Sequence, residues 1–256
     1  MIIFSQLWDT LLYVPILNLL VGFYHVLFQN LGLSIIAMTV AIKAVTFPLT
    51  KPSIEVAKKQ KGLQPEIAKL KKKFKNKQVF AQKQMELFKK NGINPMAGCL
   101  PQIIQFLIII ALYSVFTNLL SGNGVMISSV NDKLYNWDYL KFAQDAVLNT
   151  KFLYLNLSKP DQFYILPVLS AAAQFFLSKY MMKSTVGMKT AVKDTPDKKD
   201  DIMYNMQGQM AYMMPIMTLV IGVSLPSGLI LYWFISTVLM ILQYVLIFRK
   251  SKKVEN

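Results

Sequence analysis

The chain has 256 residues, 54% of them hydrophobic, and a formal net charge of +15. So apolar a composition excludes an ordinary soluble domain, and the single cysteine, Cys99, excludes an intrachain disulfide framework and a cysteine metal cluster. The positive charge would point to nucleic acid in a soluble protein, so its distribution along the chain has to decide what it means.

Residues 7–28 (LWDTLLYVPILNLLVGFYHVLF) are apolar enough to span a bilayer, but Asp9, Pro15, Asn18 and His25 interrupt the run and no basic residue precedes it. We expect residues 1–30 to form an amphipathic helix in the outer interface rather than a sixth span. With no basic n-region it makes a poor cleavable signal, and the position of Cys99 excludes an N-terminal lipoprotein cysteine.

Residues 31–50 (LGLSIIAMTVAIKAVTFPLT) are long enough to cross a membrane, with Lys43 well inside them. A charge at that depth costs about 2.5–3.5 kcal/mol even on lenient insertion scales, which favours a functional site facing a polar cavity. Thr39, Lys43, Thr46 and Thr50 fall at i, i+4, i+7 and i+11, one stripe along one helical face. The bland alternative, a lysine snorkelling to the headgroups, has to reach about 10 Å along the helix to Thr50.

Residues 51–96 hold thirteen lysines against Glu55, Glu66 and Glu86. Leu63, Ile67, Leu70 and Phe74 recur at helical spacing, with Lys61, Lys69, Lys71, Lys72, Lys73 and Lys75 around them, and a second helix is expected from Val79 to Lys90 after a break at Asn76-Lys77. The result is a basic helical hairpin. Its apolar stripes can pair with each other or rest on the membrane, while its lysines suit anionic lipids or RNA phosphates.

Further spans are read at 97–118, 163–182, 209–225 and 228–247, the last two separated by the Pro226-Ser227-Gly228 turn. The segment 119–162 has four lysines balanced by four aspartates, and Tyr135, Trp137, Tyr139, Tyr154 and Tyr164 suit headgroup level. The 183–208 segment, expected to be a mobile loop, carries five lysines, and the 248–256 tail is basic again. By the positive-inside rule 51–96, 183–208 and the tail are cytoplasmic, and 119–162 and the N-terminus lie outside. The expected fold is therefore all-α and polytopic: five spans, N-out and C-in, a cytoplasmic hairpin and an N-terminal interfacial helix.

Other spans also carry polar residues at helical spacing: Gln102 and Gln105; Ser170, Gln174 and Ser178; Tyr232, Ser236 and Gln243. Each pair alone reads as an interhelical hydrogen bond, worth about 0.6–2 kcal/mol. Together, around one lysine, they favour a shared hydrated groove. Every acidic residue lies in a loop or terminal segment, so Lys43 is read as an unpaired cation suited to an anionic group from outside the protein.

The run NPMAGCLPQIIQ (94–105), preceded by LQPEI (63–67), resembles the signature of the YidC/Oxa/Alb membrane protein insertases. LGLSIIAMTVAIKAVTFPLT resembles their first core span, MQGQMAYMMP (206–215) their fourth, and LPSGLILYW (225–233) the turn and start of their fifth. The resemblance implies a five-helix core with a groove open to cytoplasm and lipid and closed outside, where a basic residue attracts the acidic or polar tail of a nascent membrane protein. That basic residue is usually arginine and is Lys43 here, which keeps the charge but loses the bidentate fork. The resemblance also maps a groove threonine onto Thr39, an aromatic pair onto Tyr232 and Trp233, and substrate reception onto the cytoplasmic hairpin, 53–91, which includes Pro65. It implies nascent membrane proteins and ribosome–nascent chain complexes as partners, with the signal recognition particle or its receptor and the Sec translocon as further candidates. The large extra domain of Gram-negative relatives, a long ribosome-binding tail and an Arg-rich transit peptide are not seen, so a small bacterial plasma-membrane member is expected.

An enzyme is disfavoured, because His25 is the only histidine and no acidic pair or nucleophile constellation lies in the spans. No cofactor, metal or DNA is expected. The rivals are a secondary transporter with Lys43 as counter-charge, for which no inverted repeat is detected, and a membrane-tethered RNA-binding protein resting on the lysine hairpin alone.

Overall fold

The computed structural model describes residues 6–94, 100–120, 127–143, 146–183 and 212–252. Its helices are α1 (Gln6–Val26), α2 (Leu31–Gly62), α3 (Gln64–Lys73), α4 (Lys77–Lys90), α5 (Leu100–Leu120), α6 (Ile165–Lys183), α7 (Tyr212–Gly222) and α8 (Ser227–Lys252). Between α5 and α6 lie two short 3-10 turns and a two-stranded antiparallel ladder, β1 (Lys151–Phe152) and β2 (Leu155–Asn156). α1, α2, α5 and α8 are long and apolar enough to cross a membrane, and α6 and α7 contain shorter apolar helices. The expected 183–208 loop beyond Lys183, the motif residues 95–99 and the end of the tail lie outside the described residues.

Helix ends differ from the sequence expectation in several places, α8 running on to Lys252 past the expected 247. α2 does not stop at Thr50 but runs through Pro48 and Pro52 to Gly62. Each proline removes one backbone donor, freeing the carbonyls of Ala44 and Pro48, which is a local cost that tertiary contacts can exceed. Ile54 and Val56, on the extension, enter two different apolar clusters and supply those contacts. The α7–α8 turn falls at 223–226, so Ser227 and Gly228 already belong to α8.

The chain divides into two compact units. The first takes residues 1–45, 102–170 and 218–239. Its core joins Leu17, Leu20, Ile35, Met38, Leu112, Phe116, Leu157 and Leu229, all buried. Asn18, which interrupts the apolar run of α1, is a buried tie: its Nδ2 donates to Val14 O (2.8 Å) and Lys133 O (3.2 Å), and its Oδ1 accepts from Tyr135 N (2.7 Å). Tyr13 OH accepts from Asn118 Nδ2 at 2.9 Å, and Tyr24 OH from Asn149 N at 2.9 Å. α1 is thus fastened along its length to the end of α5 and the connection after it. α8 starts on the same connection, where Ser227 Oγ donates to Asn156 O and Ser227 N to Lys159 O, both at 2.8 Å. Gly228 permits that approach, since a Cβ there would stand 2.5 Å from the Phe116 ring.

The second unit takes residues 46–101, 171–217 and 240–256. One cluster packs Ile54 of α2 with Leu177 of α6 and Met240 and Tyr244 of α8. The other closes the hairpin: Ile67, Phe80, Phe88 and Ile93 are buried together, with Val56, Leu63, Leu70, Phe74 and Leu87 against them. The apolar stripe of α3 is therefore paired with α4. Pro65 sits in the first turn of α3, where its missing N–H costs nothing, and Asn76 Oδ1 accepts from Val79 N at the start of α4.

Candidate functional site

Three helices of the first unit bring the polar residues of the apolar spans to one point. Gln105 of α5 is the hub. Its Oε1 accepts from Lys43 Nζ of α2 at 3.0 Å and from Ser236 Oγ of α8 at 2.6 Å, while its Nε2 donates to Tyr232 OH at 3.3 Å. An ammonium has only donors, so the carboxamide must turn its oxygen to Lys43, which fixes the roles of the other two partners. All four side chains are buried, Lys43 to 8% exposure.

Lys43 is thus not the unpaired cation expected from the sequence. Gln105 neutralises none of its charge, however, and among the described residues no carboxylate lies within ion-pair distance of it. A buried ammonium with one neutral acceptor for three N–H groups is short of partners. Charge without a counter-charge, next to hydroxyls and an amide, can attract a carboxylate or a hydrated polar segment.

The other expected residues fall differently. Thr39 is fully buried and its hydroxyl donates to Ile35 O at 2.6 Å within its own helix. Thr50 and Ser170 do the same, donating to Phe47 O and Leu166 O. Such back-bonding satisfies a hydroxyl without a groove, so much of the apparent polar stripe is local. Trp233 packs in the apolar core of the first unit, and Gln102 is half-buried a turn before Gln105. Thr46, half-buried on α2, and Gln174, buried on α6, belong to the second unit.

The hairpin holds a separate feature that the sequence reading missed. A cleft of about 390 Å³ is lined by Leu70 and Leu87, with Glu66, Lys69 and Lys73 from α3 and Lys83, Glu86 and Lys90 from α4. The signal was present: on each helix three charges at i, i+3 and i+7 flank one leucine. Of the lysines expected to matter, Lys73 lines this cleft, and Lys71 and Lys72 do not. Among the described residues no group of His, Cys, Asp and Glu could hold a metal ion.

Fold and site together define an all-α polytopic membrane protein with a charged polar cluster inside its apolar helices. Comparison with known proteins narrows the class: the profile of the 60Kd inner membrane protein family matches residues 23–254. The chain is 34% identical over 223 residues to the membrane protein insertase YidC of Fusobacterium nucleatum, covering 87% of this chain and 88% of that protein. It is 30% identical over 248 residues to the membrane protein insertase YidC 2 of Bacillus anthracis (95% and 82% covered). It is also 30% identical over 245 residues to the insertase MisCA of Bacillus subtilis (94% and 78%). The chain belongs to this insertase family, a family of multi-pass proteins of the bacterial plasma membrane rather than of enzymes.

Proposed function

We propose that this protein receives nascent membrane proteins and releases their hydrophobic segments into the bilayer without hydrolysing ATP. The observation that carries the reading is Lys43, buried within an apolar helix and met by the neutral Gln105. Its charge attracts the acidic or polar tail of a client, and Gln105, Ser236 and Tyr232 offer exchangeable hydrogen bonds as that tail passes. The client's apolar segment then leaves along exposed lipid-facing side chains such as Ile103, Phe106 and Val238. Thr46 and Gln174 of the second unit serve in this reading as further polar contacts for a client, and Thr39 and Trp233 support the walls around Lys43. The Lys-rich hairpin takes delivery from ribosome–nascent chain complexes, with the signal recognition particle, its receptor, the Sec translocon and anionic lipids as further partners.

The proposed topology is N-out and C-in. Fastening of α1 to residues 133–135 and 149 supports an interfacial helix on the outer face, although α1 is long enough to cross. Depleting the protein and measuring protease protection of small one- and two-span clients tests the function. Normal insertion throughout would remove it. Reconstitution into vesicles without nucleotide tests independence from ATP.

A further inference from the structure

The connection between α5 and α6 exposes apolar side chains where a water-facing loop has no use for them. β1 and β2 are joined by Leu153 and Tyr154, and Leu153 has φ +52°. The first position of such a two-residue loop favours glycine, asparagine or aspartate when φ is positive, and a leucine there costs roughly 1–2 kcal/mol. Leu153 accepts that strain while 85% exposed. Just before α6 the pattern recurs, with Phe163 66% exposed and Tyr164 exposed at φ +56°.

Leu153 and Phe163 line a pocket of about 240 Å³ that also includes Lys151, Lys159, Tyr154 and Asp161. Asp161 is buried and committed inward: its Oδ2 accepts from Tyr154 OH (3.0 Å) and Leu166 N (2.8 Å), its Oδ1 from Phe163 N (3.0 Å). It caps α6 at the end that favours negative charge. Desolvation first, and then the bond to Asp161, push the Tyr154 phenol up to about 12. Among the described residues no carboxylate lies within ion-pair distance of Lys151 or Lys159. Two lysines sharing one pocket with exposed apolar side chains, at the start of an apolar helix, match a phospholipid in charge and in polarity. A free anion would account for the lysines but not for the strained, exposed leucine.

We propose that residues 151–164 form a foot on the outer leaflet, with Leu153 and Phe163 immersed at the headgroup boundary and Lys151 and Lys159 holding the phosphate of an anionic phospholipid in the pocket between them. The proposal rests on the outward placement of this connection. An impermeant maleimide added outside cells should label Gln162→Cys in a Cys99→Ser background, so a failure of topology is recognised separately from a failure of the foot.

The test uses the full chain, Cys99→Ser, with a nitroxide on Leu153→Cys or Phe163→Cys, in vesicles of phosphatidylcholine with or without phosphatidylglycerol. At both positions the collision rate with oxygen, relative to that with a water-soluble nickel chelate, should rise several-fold when phosphatidylglycerol is present. Lys151→Gln with Lys159→Gln should abolish the rise. Leu153→Gly removes the strain, so it should keep or raise thermal stability in detergent while lowering the ratio at position 163. A water-like ratio in both vesicles overturns the proposal, as does a ratio indifferent to lipid charge. So does the same rise in neutral vesicles given only inorganic phosphate.

Discussion

At Gln105 a single oxygen serves both Lys43 and Ser236, so this residue separates a structural from a functional role for the lysine. Gln105→Leu leaves the buried ammonium without its acceptor and should cost about 1–3 kcal/mol, read as a lower melting point in detergent. Adding Lys43→Met should recover most of that stability, because replacing both partners with apolar groups is close to neutral, yet insertion should stay impaired. Recovery of insertion as well would make Lys43 a packing residue only. For acidic-tailed clients Lys43→Arg should keep or improve insertion, Lys43→Ala should weaken it and Lys43→Glu should be worst. A fully active Lys43→Glu protein would sink electrostatic capture.

At the scale of elements, the hairpin owns its core and α2 does not end where the membrane run ends. Removing residues 63–93 spares Ile54 and Ala57, which belong to the cluster with α6 and α8. Such a protein should insert into the membrane and fail with clients, and normal client insertion would reduce the hairpin to a topology signal. Ile67→Ala opens a cavity among Phe80, Phe88 and Ile93 worth about 2–5 kcal/mol. Faster amide exchange should then be confined to α3, α4 and the end of α2 that carries Val56, since none of the Gln105 partners lies there. In α1, Asn18→Leu suits a spanning helix but strips Tyr135 N and Lys133 O of their partner. A drop in melting point of the detergent-solubilised protein would support the tie, and a rise would favour a sixth span.

For the whole molecule, the insertase reading and the transporter reading differ in where water enters. Cysteines at Thr46, Gln105, Gln174 and Ser236 in a Cys99→Ser background should react with an impermeant maleimide from the cytoplasmic side, while Ile36, Ile109 and Val238 should not. Thr39 should react least of the polar set, because its side chain turns back on Ile35 O of its own helix and takes no part in the Gln105 cluster. Thiolate formation requires water, so labelling reports hydration. Equal labelling from the outer face would indicate a through-channel and revive the transporter.

Local chemistry was legible from the chain alone. Apolar runs of spanning length gave the helices, apolar residues at a period of 3.6 gave the hairpin, and one charge amid isoleucines and valines marked Lys43, because each needs only neighbours in sequence. The tertiary structure decided whatever depends on residues far apart in the chain. Lys43 meets a carboxamide 62 positions away, whose oxygen also accepts from a side chain 131 positions further on and whose nitrogen donates to one 127 positions further on. The same polar residue types in the same spans could equally be satisfied by their own backbone, as Thr39 and Ser170 are, and spacing along one helix carries no information about which outcome holds. Packing also carried α2 past two prolines, turned Asn18 from an interruption into a tie, and held Leu153 in a conformation its own sequence disfavours.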